Sequence, residues 1–231
     1  AAFARAKDEG RPALVGYLTA FDPDRETSAE QMIEACRAGL DVLELGVPFS
    51  DPTADGPTIQ AAMVRARKAG ATMARALELA AEVRAAVDTP IVLFSYANPV
   101  LAGGADFFER CADVGVDACL IVDVPVESAG PMRERAAQAG LSWVSLCAPT
   151  SGSQRLPAIA AASSAFSGSS GGAPPQERAG TTSGFSLGDS PFSPLGAIGA
   201  IGAGIRRAPG IRGARQASAS INRRLDQLAA A

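Results

Sequence analysis

The chain has 231 residues, 47% of them apolar, a net charge of -3, four cysteines and no histidine. That is enough apolar material for one sizeable core, built as one large α/β domain or as two small ones. The mildly acidic balance and the lack of a basic cluster interleaved with aromatics argue against nucleic-acid binding, and no apolar run approaches the roughly 20 residues of a membrane span. A cytoplasmic protein with no membrane or nucleic-acid partner is expected.

In chain order, Ala1 to Lys7 reads as an amphipathic helix rather than a signal peptide. Five apolar runs then read as buried parallel strands: Ala13 to Ala20, Val42 to Pro48, Ile91 to Tyr96, Ala118 to Pro125 and Leu141 to Ala148. Amphipathic helices separate them. Thr27-Ser28-Ala29-Glu30-Gln31 has the capping-box pattern of a helix start, and Ala38-Gly39 closes that helix. The same Gly stop recurs at Gly70, Gly115 and Gly140. Repeated strand-helix-Gly units, with no GxGxxG after the first strand, favour an α/β (β/α)8 TIM barrel over a doubly wound sheet. A single TIM-barrel domain over residues 1–231 is expected, legible over 1–165 and atypical over 166–231.

The second strand carries an irregularity with chemical meaning. Glu44 interrupts its apolar run, and Asp55 follows in a loop shaped by Pro52, Gly56 and Pro57. A carboxylate buried without a partner has a raised pKa, which suits a group that both gives and takes a proton near neutrality. The structural alternatives are that Glu44 pairs with a neighbouring strand and that Asp55 caps the helix beginning near Pro57. The absence of histidine excludes His-ligated zinc and His-dependent nucleophiles. The only lysines, Lys7 and Lys68, fall on predicted helices, so a Schiff-base lysine on a barrel strand is excluded too. Cys36, Cys111, Cys119 and Cys147 are dispersed among predicted helices and strands, with no CxxC metal site or disulfide framework. Carbon-carbon bond cleavage on this scaffold would rest on acid/base catalysis by Glu44 and Asp55, with no metal.

Several loop motifs occur together in order: Tyr17-Leu18-Thr19-Ala20-Phe21-Asp22-Pro23, Glu44-Leu45-Gly46-Val47-Pro48-Phe49-Ser50-Asp51-Pro52, Ala54-Asp55-Gly56-Pro57, Tyr96-Ala97-Asn98-Pro99 and Asp123-Val124-Pro125. Over roughly residues 1–165 the chain resembles the tryptophan synthase α subunit. The resemblance implies a TIM barrel that cleaves indole-3-glycerol phosphate by a retro-aldol step to indole and glyceraldehyde 3-phosphate in tryptophan biosynthesis. It implies that Glu44 is the acid/base at the indole ring carbon and that Asp55 stabilises charge at the ring nitrogen. Tyr17, Phe94 and Tyr96 match positions lining the indole pocket, although aromatics at strand ends also serve as core filler. Asp51, Pro52, Asn98 and Pro125 match the face that docks on a β subunit in an α2β2 heterotetramer. No cofactor is implied in this chain, and pyridoxal phosphate is implied in the partner.

Two departures from the family follow. Phe21 stands where the family has a small residue, usually glycine, and its bulk is expected to distort the first βα loop. After about Phe166 the composition changes: no valine lies beyond Val144, arginines outnumber acids after residue 150, and Ser167-Gly168-Ser169-Ser170-Gly171-Gly172-Ala173-Pro174-Pro175 reads as flexible linker. A diverged subunit or a frameshifted sequence would each give such a tail, and partial disorder there is open. Ile201-Gly202-Ala203-Gly204-Ile205 and Ala217-Ser218-Ala219 resemble phosphate-binding turns, with Gly204 and Ser218 as the candidate contacts. Two other readings stay open: a catalytically silent α-like protein that docks on and activates a β-type subunit, and another phosphate-binding TIM-barrel lyase or isomerase.

Overall fold

The computed structural model of the chain describes residues 2–147, 151, 154–164 and 167–169. Among the described residues six strands, β1 (Val15–Thr19), β2 (Val42–Gly46), β3 (Ile91–Ser95), β4 (Ala118–Ile121), β5 (Ser142–Cys147) and β6 (Ser167–Ser169), lie side by side in chain order, every neighbouring pair parallel. Helices α1 (Ala2–Asp8), α2 (Arg25–Arg37), α3 (Pro57–Lys68), α4 (Met73–Ala86), α5 (Ala97–Ala102), α6 (Phe107–Asp113), α7 (Gly130–Gln138) and α8 (Leu156–Ala162) punctuate them. Strictly sequential parallel order is that of a β/α barrel, since a doubly wound sheet reverses its order at a switch point.

The two faces of the sheet differ, as period-2 alternation requires. Leu43, Leu45, Ile91, Leu93, Cys119 and Trp143 point outward and pack with the buried stripes of α2, α4 and α6 in the main core. Val42, Val92, Phe94, Ala118, Leu120 and Val144 form a smaller inner cluster, to which α1 contributes Ala2 and Phe3 packs alongside. At the N-terminal edge of the sheet the α1–β1 connection is tied to β2 by Asp41, which is 1% exposed. Asp41 accepts hydrogen bonds from Leu14 N (2.9 Å) and from Arg11 Nη1 and Nη2 (2.5 and 2.8 Å), and Arg5 Nη2 lies at 3.2 Å. Burial pushes this carboxyl up, but the Arg11 and Arg5 guanidiniums and the Leu14 N–H outweigh it and hold the pKa below the usual carboxylate range.

Local signals explain most boundaries. The Gly stops at Gly39, Gly70, Gly115 and Gly140 all have positive φ, the left-handed conformation that ends a helix without a Cβ penalty. The start of α2 differs from the capping-box reading. Its N-cap is Asp24, whose carboxylate accepts from Thr27 N (2.8 Å) and Thr27 Oγ1 (2.9 Å), so the helix begins before Thr27. Ser28 is thereby released to accept a hydrogen bond from Phe21 N (3.0 Å) in the β1–α2 loop.

Phe21 does not disrupt that loop. It has φ 67° and is 0% exposed, so it adopts the left-handed conformation a glycine would use, and its ring is buried beneath the Arg75 guanidinium at 4.8 Å. Ring burial and the cation–π contact offset a left-handed penalty of about 1–2 kcal/mol.

The linker reading of Ser167 to Ser169 is corrected. These residues pair with β5 in the register Ser145↔Ser167, Leu146↔Gly168 and Cys147↔Ser169. A parallel ladder is made by backbone groups, so Ser and Gly can extend it where branched residues are absent. The approach is prepared by hydroxyls: Trp143 N donates to Ser164 Oγ (2.7 Å) and Ser145 N to Ser163 Oγ (3.0 Å). The crossover between them is α8, which buries Ile159 and Ala162. Residues after 169, and the phosphate contacts expected at Gly204 and Ser218, lie outside the described residues.

At Phe21 the usual order of truncation is expected to invert. Phe21→Ala keeps the left-handed strain and loses the ring, so it should cost about 3–5 kcal/mol, whereas Phe21→Gly should cost about 1 kcal/mol less; urea unfolding of both variants checks the order. Removing the nearer of the two Asp41 guanidiniums with Arg11→Met, which leaves Arg5 and the Leu14 N–H in place, should cost about 1–3 kcal/mol at neutral pH. Because Asp41 has a depressed folded pKa, its contribution is present above the unfolded aspartate value and lost as pH falls through the folded one, so the deficit should shrink in acid.

Candidate active site

Glu44 sits at the centre of β2 on the inner face, with Val42 before it and Gly46 after it. Its register partners are Tyr17 on β1 and Val92 on β3, neither of which is cationic. Among the described residues Glu44 has no hydrogen bond or ion pair, so the strand-pairing alternative is not realised. The carboxyl is half-buried, and burial alone pushes its pKa from 4.5 up to about 7.

Tyr17 lies across the strand beside it, and this depends on Gly46. A Cβ at Gly46 would meet the Tyr17 hydroxyl and ring, so only a bare backbone lets the phenol lie there. The Tyr17 ring packs edge-on against Phe94, centroids 5.2 Å apart and planes at 80°, and Thr19 Oγ1 approaches the hydroxyl oxygen at 3.5 Å. Burial, then the nearby Asp55 charge and more weakly that of Glu44, push the phenol pKa well up, so Tyr17 stays a neutral hydroxyl facing both carboxylates. Phe94 pairs in register with Gly46 and joins the same inner wall.

Asp55 lies in the β2–α3 loop and does not cap α3. Gly56 is the N-cap, with no side-chain bond, and Pro57 fills the first turn. The loop is folded by turns in which Thr53 N donates to Asp51 O (2.9 Å) and Asp55 N to Pro52 O (3.2 Å), while Gln60 Nε2 donates to Asp55 O (2.8 Å). Asp55 is oriented by Tyr96, the residue just after β3. The Tyr96 hydroxyl donates to Asp55 Oδ2 (2.5 Å) and accepts from Ala54 N (3.0 Å), and its ring stacks on Phe49 at 5.0 Å. Burial raises the Asp55 pKa and the Tyr96 bond pulls it partway back. Tyr96 is itself raised well above an ordinary phenol, by burial first and then by Asp55.

The structure therefore gathers Glu44, Asp55, Tyr17, Phe94 and Tyr96 at the C-terminal end of β1 to β3. Asp51 and Pro52 lie in the Asp55 loop, Asn98 is exposed on α5, and Pro125 is exposed after β4. These loops are laced together, because Ala97 N, at the start of α5, donates to Asp123 Oδ1 (2.7 Å). Leu101 on the same short helix is 61% exposed. Two contributions were missed by sequence reasoning. The requirement for Gly46 has no sequence signal, because it depends on the rotamer of Tyr17 on another strand. The Tyr96 hydroxyl bond to Asp55 spans 41 positions and could be anticipated only in the sense that a buried phenol needs a polar partner.

Among the described residues, no group of three His, Cys, Asp or Glu side chains could hold a metal ion, and no helix is long and apolar enough to cross a membrane. The sequence profile of the tryptophan synthase alpha chain family matches residues 3–172. The tryptophan synthase alpha chain of Acidiphilium cryptum is 45% identical over 168 residues, 72% of this chain and 61% of that protein. The crystal structure of tryptophan synthase subunit alpha from Legionella pneumophila superposes with a TM-score of 0.70 at 33% identity, covering 73% of this chain and 65% of that one. A chain of the tryptophan synthase α2β2 complex from Pyrococcus furiosus gives a TM-score of 0.66 at 38% identity, covering 68% and 66%. The chain spans 58–61% of the length of three curated relatives that it matches. Matching over residues 3–172, on motifs that meet around Glu44 and Asp55, the chain belongs to the tryptophan synthase alpha chain family.

Proposed function

We propose that this chain is a cytoplasmic carbon-carbon lyase of tryptophan biosynthesis, which cleaves indole-3-glycerol phosphate to indole and glyceraldehyde 3-phosphate. The observation that carries the reading is Glu44: a half-buried carboxyl with no partner among the described residues, poised near neutral pH, which shares Tyr17 as a neighbour with a second carboxyl held by a tyrosine. Two carboxyl groups in such different surroundings divide into an acid and a charge stabiliser.

Protonated Glu44 delivers its proton to ring carbon C3, which gives an indoleninium whose positive charge sits at the ring nitrogen. Asp55, ionised, accepts the ring N–H and stabilises that charge. The Glu44 carboxylate then takes the proton of the side-chain hydroxyl on the carbon attached to C3. The oxygen lone pair forms the aldehyde, the bond to C3 breaks, and its electrons restore the aromatic indole. Glu44 ends protonated, so the cycle is balanced without a cofactor in this chain. Tyr17 and Phe94 supply the aromatic wall, with the buried Tyr96 ring packed behind the Asp55 loop, and Gly204 and Ser218, read from the sequence, take the phosphate.

The exposed loops carrying Asp51, Pro52, Asn98 and Pro125 surround the mouth of this site, which supports a β subunit as partner in an α2β2 assembly like that of the Pyrococcus furiosus relative. Pyridoxal phosphate would belong to that subunit, where indole is consumed.

Indole release from indole-3-glycerol phosphate, by the chain alone and with a β subunit added, tests the reading. Release should occur and rise with the partner, and Glu44→Gln should abolish it while the circular dichroism spectrum is unchanged. Near-normal turnover by that variant would sink the assignment, and faster β-subunit turnover without any indole release would leave only a docking protein. The rate should follow a bell, falling above about pH 7 as free Glu44 loses its proton, and falling in acid as Asp55 gains one.

A stability measurement independent of turnover follows from the same carboxyl. Glu44 has a raised folded pKa, so its contribution is present below the unfolded value of 4.5 and is lost as pH rises through about 7. Glu44→Gln should therefore gain on the parent by about 3 kcal/mol across that window, at 1.36 kcal/mol per unit. Chemical denaturation of both proteins in acid and in mild alkali reads this difference.

A further inference from the structure

We propose that Tyr96 is a positioning residue for Asp55: its hydroxyl holds Oδ2 and the preceding backbone amide, which leaves Oδ1 as the one carboxylate oxygen free to receive the ring N–H of the substrate. This inference deepens the lyase reading and rests on the role given there to Asp55.

Three features of the site carry it. Tyr96 lies outside the loop it serves, at the end of β3, and is 1% exposed, so the ring is fixed by packing and by its stack on Phe49. The hydroxyl uses both its capacities on adjacent loop residues, donating to Asp55 Oδ2 (2.5 Å) and accepting from Ala54 N (3.0 Å). Among the described residues, no other side chain from outside the loop and α3 bonds Ala54 or Asp55, and Asp55 Oδ1 has no partner. The remaining loop bonds are backbone turns and the reach of Gln60 to the Asp55 carbonyl, none of which restrains the carboxylate. Without the phenol, Asp55 would have rotamer freedom on a largely exposed loop. A carboxylate that must meet one ring N–H loses rate steeply when misplaced by about 1 Å.

The bond also has an electrostatic signature. The hydrogen bond favours the ionised form of Asp55 and opposes the burial that disfavours it. The other titratable groups facing this pair are Tyr17 from β1, with Glu44 of β2 behind it, and Asp123 from the loop after β4, which faces Tyr96. None is cationic, so among the described residues no charge replaces the phenol as a stabiliser of the Asp55 charge.

Tyr96→Phe keeps the ring and its stack and removes only the hydroxyl. Its kcat for indole release is expected to fall roughly 10²-fold, with the acid limb of the rate profile moved to higher pH and the alkaline limb, set by Glu44, unmoved. Combined with Asp55→Asn, it should add no further loss, because the hydroxyl acts through that carboxylate. A second readout does not depend on turnover: the Asp55 carboxyl, followed by carbon NMR across a pH titration, should titrate at higher pH in Tyr96→Phe than in the parent. An unchanged Asp55 titration, or an additive loss in the double variant, overturns the positioning role. If Asp55→Asn itself leaves indole release intact, the lyase reading of Asp55 fails, while the carboxyl titration still decides whether Tyr96 holds it.

Discussion

The site is organised around a half-buried carboxyl that the fold declines to neutralise. Taking an ionised carboxylate out of water is costly, and proteins usually answer with a cation or several N–H donors. Glu44 has neither among the described residues. Its flanking strands offer a phenol and a valine, so the group relieves the cost by holding its proton to about pH 7. This is possible because β2 lies between two other strands with its outward residues, Leu43 and Leu45, sealed in the main core. The strand is held by its outer face, which leaves the inner face free to carry a group that contributes nothing to stability at neutral pH.

The second carboxyl follows a different logic. Asp55 sits on a loop, where backbone turns set the chain path but leave a side chain free. Its orientation is borrowed from β3 through Tyr96, and Tyr96 is followed at once by Ala97, whose amide is held by Asp123 from the next loop. Three successive βα loops are thus joined at the C-terminal edge by one phenol and one carboxylate. The exposed positions Asp51, Asn98 and Pro125 lie on these same loops, so a protein seated on them would rest on the framework that aims Asp55.

Much of this was legible in the chain, for reasons that can be named. The parallel α/β pattern showed because outward residues such as Leu43 and Ile91 and inner ones such as Val42 and Val92 are both apolar, which gives unbroken runs, and because Gly39, Gly70, Gly115 and Gly140 mark helix ends by their conformational freedom. Glu44 showed as a charge in the middle of such a run, whereas Asp123 falls near the end of its own. Less legible were features that depend on backbone alone or on distant pairs. β6 is made of Ser and Gly, whose side chains announce no strand, and its ladder follows from the open edge of β5. Asp24 outcompeted the Thr27 capping box because its carboxylate reaches both the amide and the hydroxyl of Thr27. Phe21 read as an obstacle because propensity penalises a left-handed phenylalanine, whereas burial of the ring beneath Arg75 decides the outcome.

Strand β2 and the residue before it set stability and chemistry three positions apart. Asp41 and Glu44 are both removed from water, yet their pKa values move in opposite directions. Asp41, at the N-terminal edge, meets two guanidiniums and a backbone amide, and so becomes a fixed anion that anchors α1 and its loop. Glu44, one turn of the pleat further along, meets only neutral groups and remains able to exchange its proton. In a β/α barrel the N-terminal face serves stability and the C-terminal face serves catalysis, and here that division is written into the partners of two carboxylates on one segment. A cation introduced beside Glu44 would make it resemble Asp41: better satisfied, more stabilising at neutral pH, and no longer an acid.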